Sequence, residues 1–203
     1  MNIRFIFILP LLIQGFFVSA QSEEGFKAGL KAGLNTSQMT GDGYAGFYKF
    51  SPVFGAFASH GFGEHMRFQY ELLYQNKGSR DPARPDEGKY TSYKIVMNYI
   101  EVPVLWQYNL KKFTLELGPG FSFLLHTKEL DENGVVKVST YPWRSFELDG
   151  MLGVNYNVNE HLFLNIRSHH SISSVVSSTV VNRYGVYGGA WNIVIAFTAN
   201  YRF

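Results

Sequence analysis

The side chains of this sequence that could do chemistry are charged groups that alternate with apolar residues. Such positions hold Lys27, Lys31, Arg67, Glu71, Glu101, Glu116, Glu147, Asp149, Arg167 and Arg202. Successive side chains of a β-strand point to opposite faces, so these groups share one face of their strands. Both signs are present, and a buried charge without a partner is costly, so we expect the groups to neutralise one another. The pattern predicts a structural charge network, and the alternative is a pathway for ions or protons.

Histidine and serine side chains near the predicted outer rim are the only candidates for catalysis. His169, His170 and Ser171 follow the seventh apolar segment, and His126 ends the fifth. A catalytic site needs an acid, a base and a nucleophile within hydrogen-bond reach, and adjacent strand residues face opposite ways. We therefore predict that His169 and His170 cannot act jointly and that the chain is not an enzyme. These histidines also lack the spacing of a known metal site, so we expect no catalytic residue, no metal and no cofactor.

The C-terminal segment has the most regular pattern in the chain. Its apolar face consists of Trp191, Ile193, Ile195, Phe197, Ala199, Tyr201 and Phe203. The intervening residues are mostly polar, and the segment is about as long as a tilted strand that crosses a bilayer. Hydrocarbon offers no water to unpaired backbone groups, so a sheet of such strands must close on itself. We therefore predict a transmembrane strand that also assists insertion into the outer membrane.

Eight segments show strand periodicity. They cover residues 26–35, 50–59, 66–75, 93–108, 113–125, 146–155, 162–169 and 191–203. The two faces of the second segment cannot be assigned, and Pro103 in the fourth suggests a bulge. The fold class that follows is all-β, an eight-stranded antiparallel up-and-down transmembrane β-barrel. Eight strands enclose an interior just wide enough for side chains to fill, so we expect a lumen that is plugged by side chains.

Short and long connections alternate between these segments. The short ones are His60–His65, Asn109–Lys112 and Asn157–Glu160, and the long ones are Gln38–Lys49, Gly78–Ser92, His126–Arg144 and Ser171–Gly189. Outer-membrane barrels have short periplasmic turns and long extracellular loops, which predicts the orientation. Within the loops, Asp131-Glu132-Asn133-Gly134 predicts a hairpin turn rather than a calcium loop, because the later ligands are missing. Val175-Val176 and Val180-Val181 either extend strands above the membrane, which we favour, or form an adhesive surface.

The N-terminal residues have the pattern of an export sequence. Arg4 precedes an apolar run from Phe5 to Val18, and Val18-Ser19-Ala20 ends it with small residues. We expect a cleaved signal peptide over residues 1–20 and a barrel domain over residues 21–203. The chain has no cysteine, so no disulfide framework supports the fold, and its net charge of +2 gives no indication of a nucleic-acid partner.

Four segments carry a resemblance to a known family. They are Gly29-Leu30-Lys31-Ala32-Gly33-Leu34-Asn35, Glu71-Leu72-Leu73-Tyr74-Gln75-Asn76-Lys77-Gly78, Tyr99-Ile100-Glu101-Val102-Pro103-Val104-Leu105 and Tyr201-Arg202-Phe203. Together they resemble the porin-like, or PorT-like, small outer-membrane β-barrels. The resemblance implies an eight-stranded barrel in the outer membrane of a Gram-negative bacterium. One member of that family is associated with a secretion apparatus, but most members have no established activity.

These patterns predict a monomeric or weakly associating, non-enzymatic barrel with a structural or binding role through its long loops. The expected partners are membrane lipid and lipopolysaccharide, the outer-membrane assembly machinery, and another envelope protein or a surface ligand, with no nucleic acid. The functional alternatives are a narrow pore for small solutes and an accessory subunit of an envelope secretion machine. The structural alternative is a soluble sandwich or lipocalin-like barrel, which would bury its apolar faces inward.

Overall fold

The computed structural model describes residues 25–44, 46–136, 142–177 and 188–203, and within these ranges the chain forms one antiparallel sheet. In chain order its strands are β1 (Lys27–Thr40), β2 (Lys49–Phe62), β3 (Met66–Lys77), β4 (Arg80–Asp81), β5 (Tyr93–Leu110), β6 (Phe113–Asp131), β7 (Gly134–Val135), β8 (Phe146–Asn157), β9 (Leu162–Ser171) and β10 (Trp191–Arg202). The two-residue strands β4 and β7 only widen the sheet beside β5 and β6. The other eight are the barrel strands. The signal peptide expected over residues 1–20 lies outside the described residues.

The barrel closes through the first and last strands. β1 pairs with β2 on one side and with β10 on the other, in a register that runs from Gly29 opposite Arg202 to Thr40 opposite Trp191. The backbone groups along both edges of the sheet are therefore paired, as a bilayer requires. The predicted closed eight-stranded antiparallel barrel is confirmed.

The two faces of each strand differ in the direction that lipid contact requires. On β1, Leu30 and Leu34 are 55% and 59% exposed on the outer wall, whereas Lys31 and Asn35 are 2% and 1% exposed. A soluble barrel would show the reverse arrangement, so that alternative is wrong. The faces of β2 are now assigned, with Phe50 and Phe54 outside and Val53 and Phe57 inside.

One predicted strand boundary and the predicted bulge are wrong. Pro103 keeps the register of β5 and pairs with Gly120, while the register shift lies at Asn98 and Tyr99. There β6 contains one extra residue, Leu125, so the irregularity is carried by the partner strand. β6 also continues to Asp131, so His126 lies within a strand rather than at its end. The alternation of apolar and polar residues fades there because this end of β6 no longer has lipid on one side and the barrel interior on the other.

The connections keep the predicted asymmetry. The turns 63–65, 111–112 and 158–161 lie at one end of the barrel, and the longer connections 41–48, 78–92, 132–145 and 172–190 lie at the other. Gly134 pairs with Asp131 across the predicted hairpin turn. Among the described residues, no helix is long and apolar enough to span a membrane.

Candidate functional site

Four charged side chains meet inside the barrel on the side of the short turns, and we call them the turn-side cluster: Lys31, Glu71, Glu116 and Arg167. The Arg167 guanidinium donates to both Glu71 oxygens at 2.8 Å, and its Nε donates to Glu116 Oε1 at 2.6 Å. Lys31 Nζ lies 2.7 Å from Glu71 Oε1. Two cations and two carboxylates therefore balance, and the bidentate contact of Arg167 with Glu71 is the strongest form of such a pair.

Neutral amides complete the coordination of Glu116. Asn165 Nδ2 donates to Glu116 Oε1 at 2.8 Å, while Gln107 Nε2 and Asn155 Nδ2 donate to Oε2 at 3.0 and 3.1 Å. These donors come from β5, β8 and β9, so the cluster ties together strands that are not all neighbours in the sheet. A buried carboxylate with this many donors does not carry the penalty of an unpaired charge.

A second group of charges lies nearer the long loops, and we call it the loop-side cluster: Lys77, Glu101, Glu147, Asp149 and His169. Lys77 Nζ is 2.8 Å from Glu101, 2.7 Å from Asp149 and 3.5 Å from Glu147. The His169 ring lies 3.4 Å from the second Glu101 oxygen. Lys77 thus serves as the common partner of three carboxylates.

Hydroxyl and amide groups link the carboxylates of the loop-side cluster. Ser122 Oγ lies 2.9 Å from Glu101 Oε1 and 2.8 Å from Asp149 Oδ2. Asn192 Nδ2 donates to both oxygens of Glu147, to which Ser171 also donates. Six barrel strands contribute to this group, which fixes the side chains in place.

The candidate catalytic residues do not come together. His169 points into the barrel and contacts Glu101, while His170 is exposed on the outer wall, as the alternation predicts. Ser171 donates to Glu147 rather than to a histidine, and His126 is exposed on β6. The geometry therefore contains no pairing of a nucleophile with a base among these four residues.

Apolar side chains cover the loop-side end of the interior, and we call them the apolar lid: Met39, Ile95, Met97, Tyr99, Val175, Val176 and Ala190. The connection between β9 and β10 folds inward here, since Val175 N–H donates to the Ala190 carbonyl at 2.8 Å. Val175 and Val176 are buried, so the interpretation of this pair as an exposed adhesive surface is wrong. Val176 forms an antiparallel bridge with Trp143, and the pairing of β8 with β9 thus gains one isolated bridge beyond the strand ends, as the favoured interpretation expects. Val180-Val181 lies outside the described residues.

Seven of the ten sequence-predicted charges belong to the two clusters, and three do not. Lys27 is exposed at the start of β1, while Arg67 and Arg202 are half-buried near the short turns. The sequence analysis missed Lys77, because it ended the third strand at Gln75. Continued alternation from Gln75 through Lys77 could have identified it.

The space left between the interior side chains is small. A cavity of about 10 Å³ lies among Lys31, Arg167, His169 and neighbouring residues. About that volume is needed to hold a single water molecule. The arrangement holds the ionic groups of the two clusters in direct contact with one another.

Comparison with known proteins gives the family to which the chain belongs. The family model described as "Outer membrane protein beta-barrel domain" matches residues 19–177. No curated protein matches the chain. Similar solved structures include the attachment invasion locus protein Ail of Yersinia pestis in complex with the heparin analogue sucrose octasulfate, at 12% identity over 88% of this chain and 99% of that chain with a TM-score of 0.47. Neisserial surface protein A is 13% identical, with 88% of this chain and 97% of that chain covered and a TM-score of 0.43. The outer membrane protein OprG of Pseudomonas aeruginosa is 12% identical, with 88% of this chain and 94% of that chain covered and a TM-score of 0.38. Since the family model covers most of its length, the chain belongs to the outer membrane protein β-barrel domain family.

Proposed function

We propose that this chain is a non-enzymatic outer-membrane barrel with a closed lumen, which acts through a binding surface on its long loops. The observation that carries the proposal is that two ion-paired clusters and the apolar lid follow one another along the barrel axis. A pore needs a continuous wet gap, whereas the cavity between Lys31, Arg167 and His169 has a volume of about 10 Å³. The charges therefore stabilise the barrel instead of conducting.

The same architecture supports a proposal for the location and the partners. We expect export by the signal peptide over residues 1–20 and insertion into the outer membrane of a Gram-negative bacterium. The assembly machinery would act on the terminal strand, where Phe197, Tyr201 and Phe203 are exposed on the outer wall. Membrane lipid and lipopolysaccharide would surround the barrel, with the short turns in the periplasm and the long loops outside the cell.

The surface of the long loops has the composition of a binding site. Tyr90 and Tyr48 are 75% and 45% exposed there, and the Arg84 guanidinium lies 5.7 Å from the centre of the Tyr48 ring. Tyrosine and arginine are enriched among the residues that carry binding energy in protein interfaces. This pairing supports a role in contact with a surface polymer or with another protein.

Conductance across a planar bilayer tests the closed lumen. We expect the reconstituted protein to insert without stable single-channel current steps, and Glu101→Gln to behave in the same way. Insertion is verified separately by the migration of the unboiled protein on a gel. Current steps in the native protein that vanish in Glu101→Gln would favour the narrow pore and overturn the proposal.

Lipopolysaccharide binding tests the loop surface. We expect Tyr48→Ala with Tyr90→Ala to weaken the binding of purified lipopolysaccharide by about tenfold, the loss expected when an anchor worth about 1–2 kcal/mol is removed. His161→Ala, at the short-turn end, is the matched control and should leave the affinity unchanged. Equal affinities for all three proteins would show that the loops do not carry this binding.

A second candidate function is accessory subunit of an envelope secretion machine. The segments 71–78 and 99–105, which resemble PorT-like proteins, favour it. This candidate predicts that the protein purifies from detergent-extracted envelopes together with other envelope proteins. A protein that migrates alone after mild extraction would count against it.

A further inference from the structure

A pocket lined by basic side chains opens at the short-turn end of the barrel, opposite the long loops. Its cations are Arg67, Lys111, Lys112 and Arg202, and we call the pocket they line the basic vestibule. It has a volume of about 400 Å³, and its remaining walls are Asn109, Asn157, Asn159 and Glu160. This is far larger than the about 10 Å³ cavity within the ionic interior. The vestibule is thus a dead-ended chamber that is open to water.

The two arginines of the basic vestibule are held in place by neutral groups. Arg67 Nη1 donates to Ser59 Oγ at 3.0 Å, and the Arg202 guanidinium lies 5.0 Å from the centre of the Phe163 ring. Arg202 Nε is buried and has no hydrogen-bond partner within the described residues. A guanidinium carries five N–H donors, so most of the donors of both side chains are left for a ligand.

Within the described residues, no ion pair compensates the charges of the basic vestibule. In the described part of the chain, no carboxylate oxygen lies within 4.0 Å of Arg67, Arg202, Lys111 or Lys112, whereas Arg167 and Lys77 in the interior are paired. The positive charges of Arg67 and Arg202 repel one another, and both of them also repel the ammonium group of Lys27. Of the described residues, Glu160 alone contributes an acidic side chain to the wall of the pocket. Such an excess of like charge favours an anion in the pocket.

The turn between β5 and β6 contains a lysine whose backbone conformation is unfavourable for residues with a side chain. Lys111 has a φ of 53°, in the left-handed region that glycine and asparagine adopt more readily. Lys111 and Lys112 together form this two-residue turn at the rim of the vestibule. The turn therefore supplies two cations to the pocket at a cost in local conformational energy.

We propose that the basic vestibule binds a ligand that carries a phosphate or a carboxylate group. The two guanidiniums form the floor of the site and offer paired N–H groups, which match the geometry of an oxyanion. Lys111 and Lys112 close the rim above the bound group. The site is separate from the loop surface, and its occupancy does not depend on the function of that surface.

The proposal is tested by following the Nε–H resonances of Arg67 and Arg202 by NMR while inorganic pyrophosphate is added to the full chain in nanodiscs of zwitterionic lipid. We expect both resonances to shift and to saturate. Arg67→Gln should weaken the binding by at least about tenfold, as expected for the loss of charge-assisted hydrogen bonds worth about 1.5–3 kcal/mol. Lys128→Gln makes the same change of charge at the opposite end of the barrel and should leave the affinity unchanged.

A second variant controls for misfolding of Arg67→Gln, and a second lipid identifies the source of the oxyanion. Lys111→Asn with Lys112→Asn, which suits the turn backbone, should also weaken binding severalfold. Nanodiscs of phosphatidylglycerol distinguish a lipid headgroup, because the same shifts would then occur before pyrophosphate is added. The absence of saturable shifts in either lipid overturns the proposal. Binding that is detected only in the double variant Glu23→Gln with Glu24→Gln also overturns the proposal. The carboxylates of the two acidic residues that precede Gly25 would then be the anions that the cations of the pocket attract in the native protein.

Discussion

Arg167 is the residue on which the turn-side cluster depends. Its guanidinium contacts carboxylates on β3 and β6 from its own position on β9, so a single side chain bridges the interior. Lys31 can still neutralise one carboxylate without it, but Glu116 would retain only amide donors. The second carboxylate would then be a buried charge without a counter-ion, which proteins tolerate poorly.

Replacing Arg167 should therefore destabilise the barrel strongly. We expect Arg167→Met to lower the free energy of unfolding by about 3–5 kcal/mol, the cost of removing one partner from a buried ion pair. Urea unfolding in lipid vesicles, followed by tryptophan fluorescence, measures it. Lys27→Met removes a cation from an exposed position and should cost less than about 0.5 kcal/mol. Equal losses in the two variants would contradict the role assigned to Arg167.

Asp42 in the loop between β1 and β2 should titrate at an elevated pH. Burial raises the pKa of this carboxyl above 3.8, although Ser79 Oγ and Tyr44 N–H donate to it and oppose the shift. A raised folded-state pKa means that this group favours the folded loop at low pH, and that its contribution is lost as the pH rises through that pKa. An NMR titration of the Tyr44 amide should show a midpoint above 3.8, and a midpoint below that value would contradict the burial argument.

At the scale of the elements, the position of a residue along a strand sets the cost of placing a charge against lipid. Phe197 lies in the middle of β10 and Phe203 follows its end, and both side chains are exposed on the outer wall. We expect Phe197→Arg to cost about 2–4 kcal/mol and Phe203→Arg to cost about 0–1 kcal/mol, since the penalty falls from the bilayer centre to its interface. Unfolding from lipid vesicles compares the two variants. Equal costs would show that β10 does not cross the bilayer as described.

The strands could be predicted from the sequence because their physics is local. Lipid outside and ion pairs inside impose a period of two on every strand, and the order Lys31, Ala32, Gly33, Leu34 already displays it. The same rule assigned His169 and His170 to opposite faces. It failed on β2 because small and aromatic residues occupy both of its faces, so the alternation of apolar and polar residues is weak there.

The contacts between elements could not be predicted in this way. Lys77 joins the loop-side cluster only because β3 continues beyond the segment with clear periodicity. The apolar lid forms because residues on β1 and β5 meet a connection more than 75 positions further along the chain, and no local pattern encodes that meeting. The basic vestibule likewise arises where two turns, the start of β3 and the end of β10 converge.

At the scale of the whole molecule, the interior is layered along the barrel axis. The basic vestibule lies at the short-turn end, the turn-side and loop-side clusters follow, and the apolar lid covers the end nearest the long loops. The two ends therefore differ in chemistry, one being cationic and open to water and the other apolar and covered. In such a barrel, two separate surfaces are joined through a centre that is lined by ion pairs.

The outward orientation of the apolar faces is the claim on which the account rests, and a spin-label scan of β10 tests it most directly. The chain has no cysteine, so each introduced cysteine is a unique label site. In lipid vesicles, labels at Ile195, Phe197 and Ala199 should be readily relaxed by oxygen, while labels at Ala196 and Thr198 should be immobile and protected. The account would be contradicted if oxygen relaxed the labels at Ala196 and Thr198 but not the other three. It would also be contradicted if a water-soluble relaxation agent reached Ile195, Phe197 and Ala199.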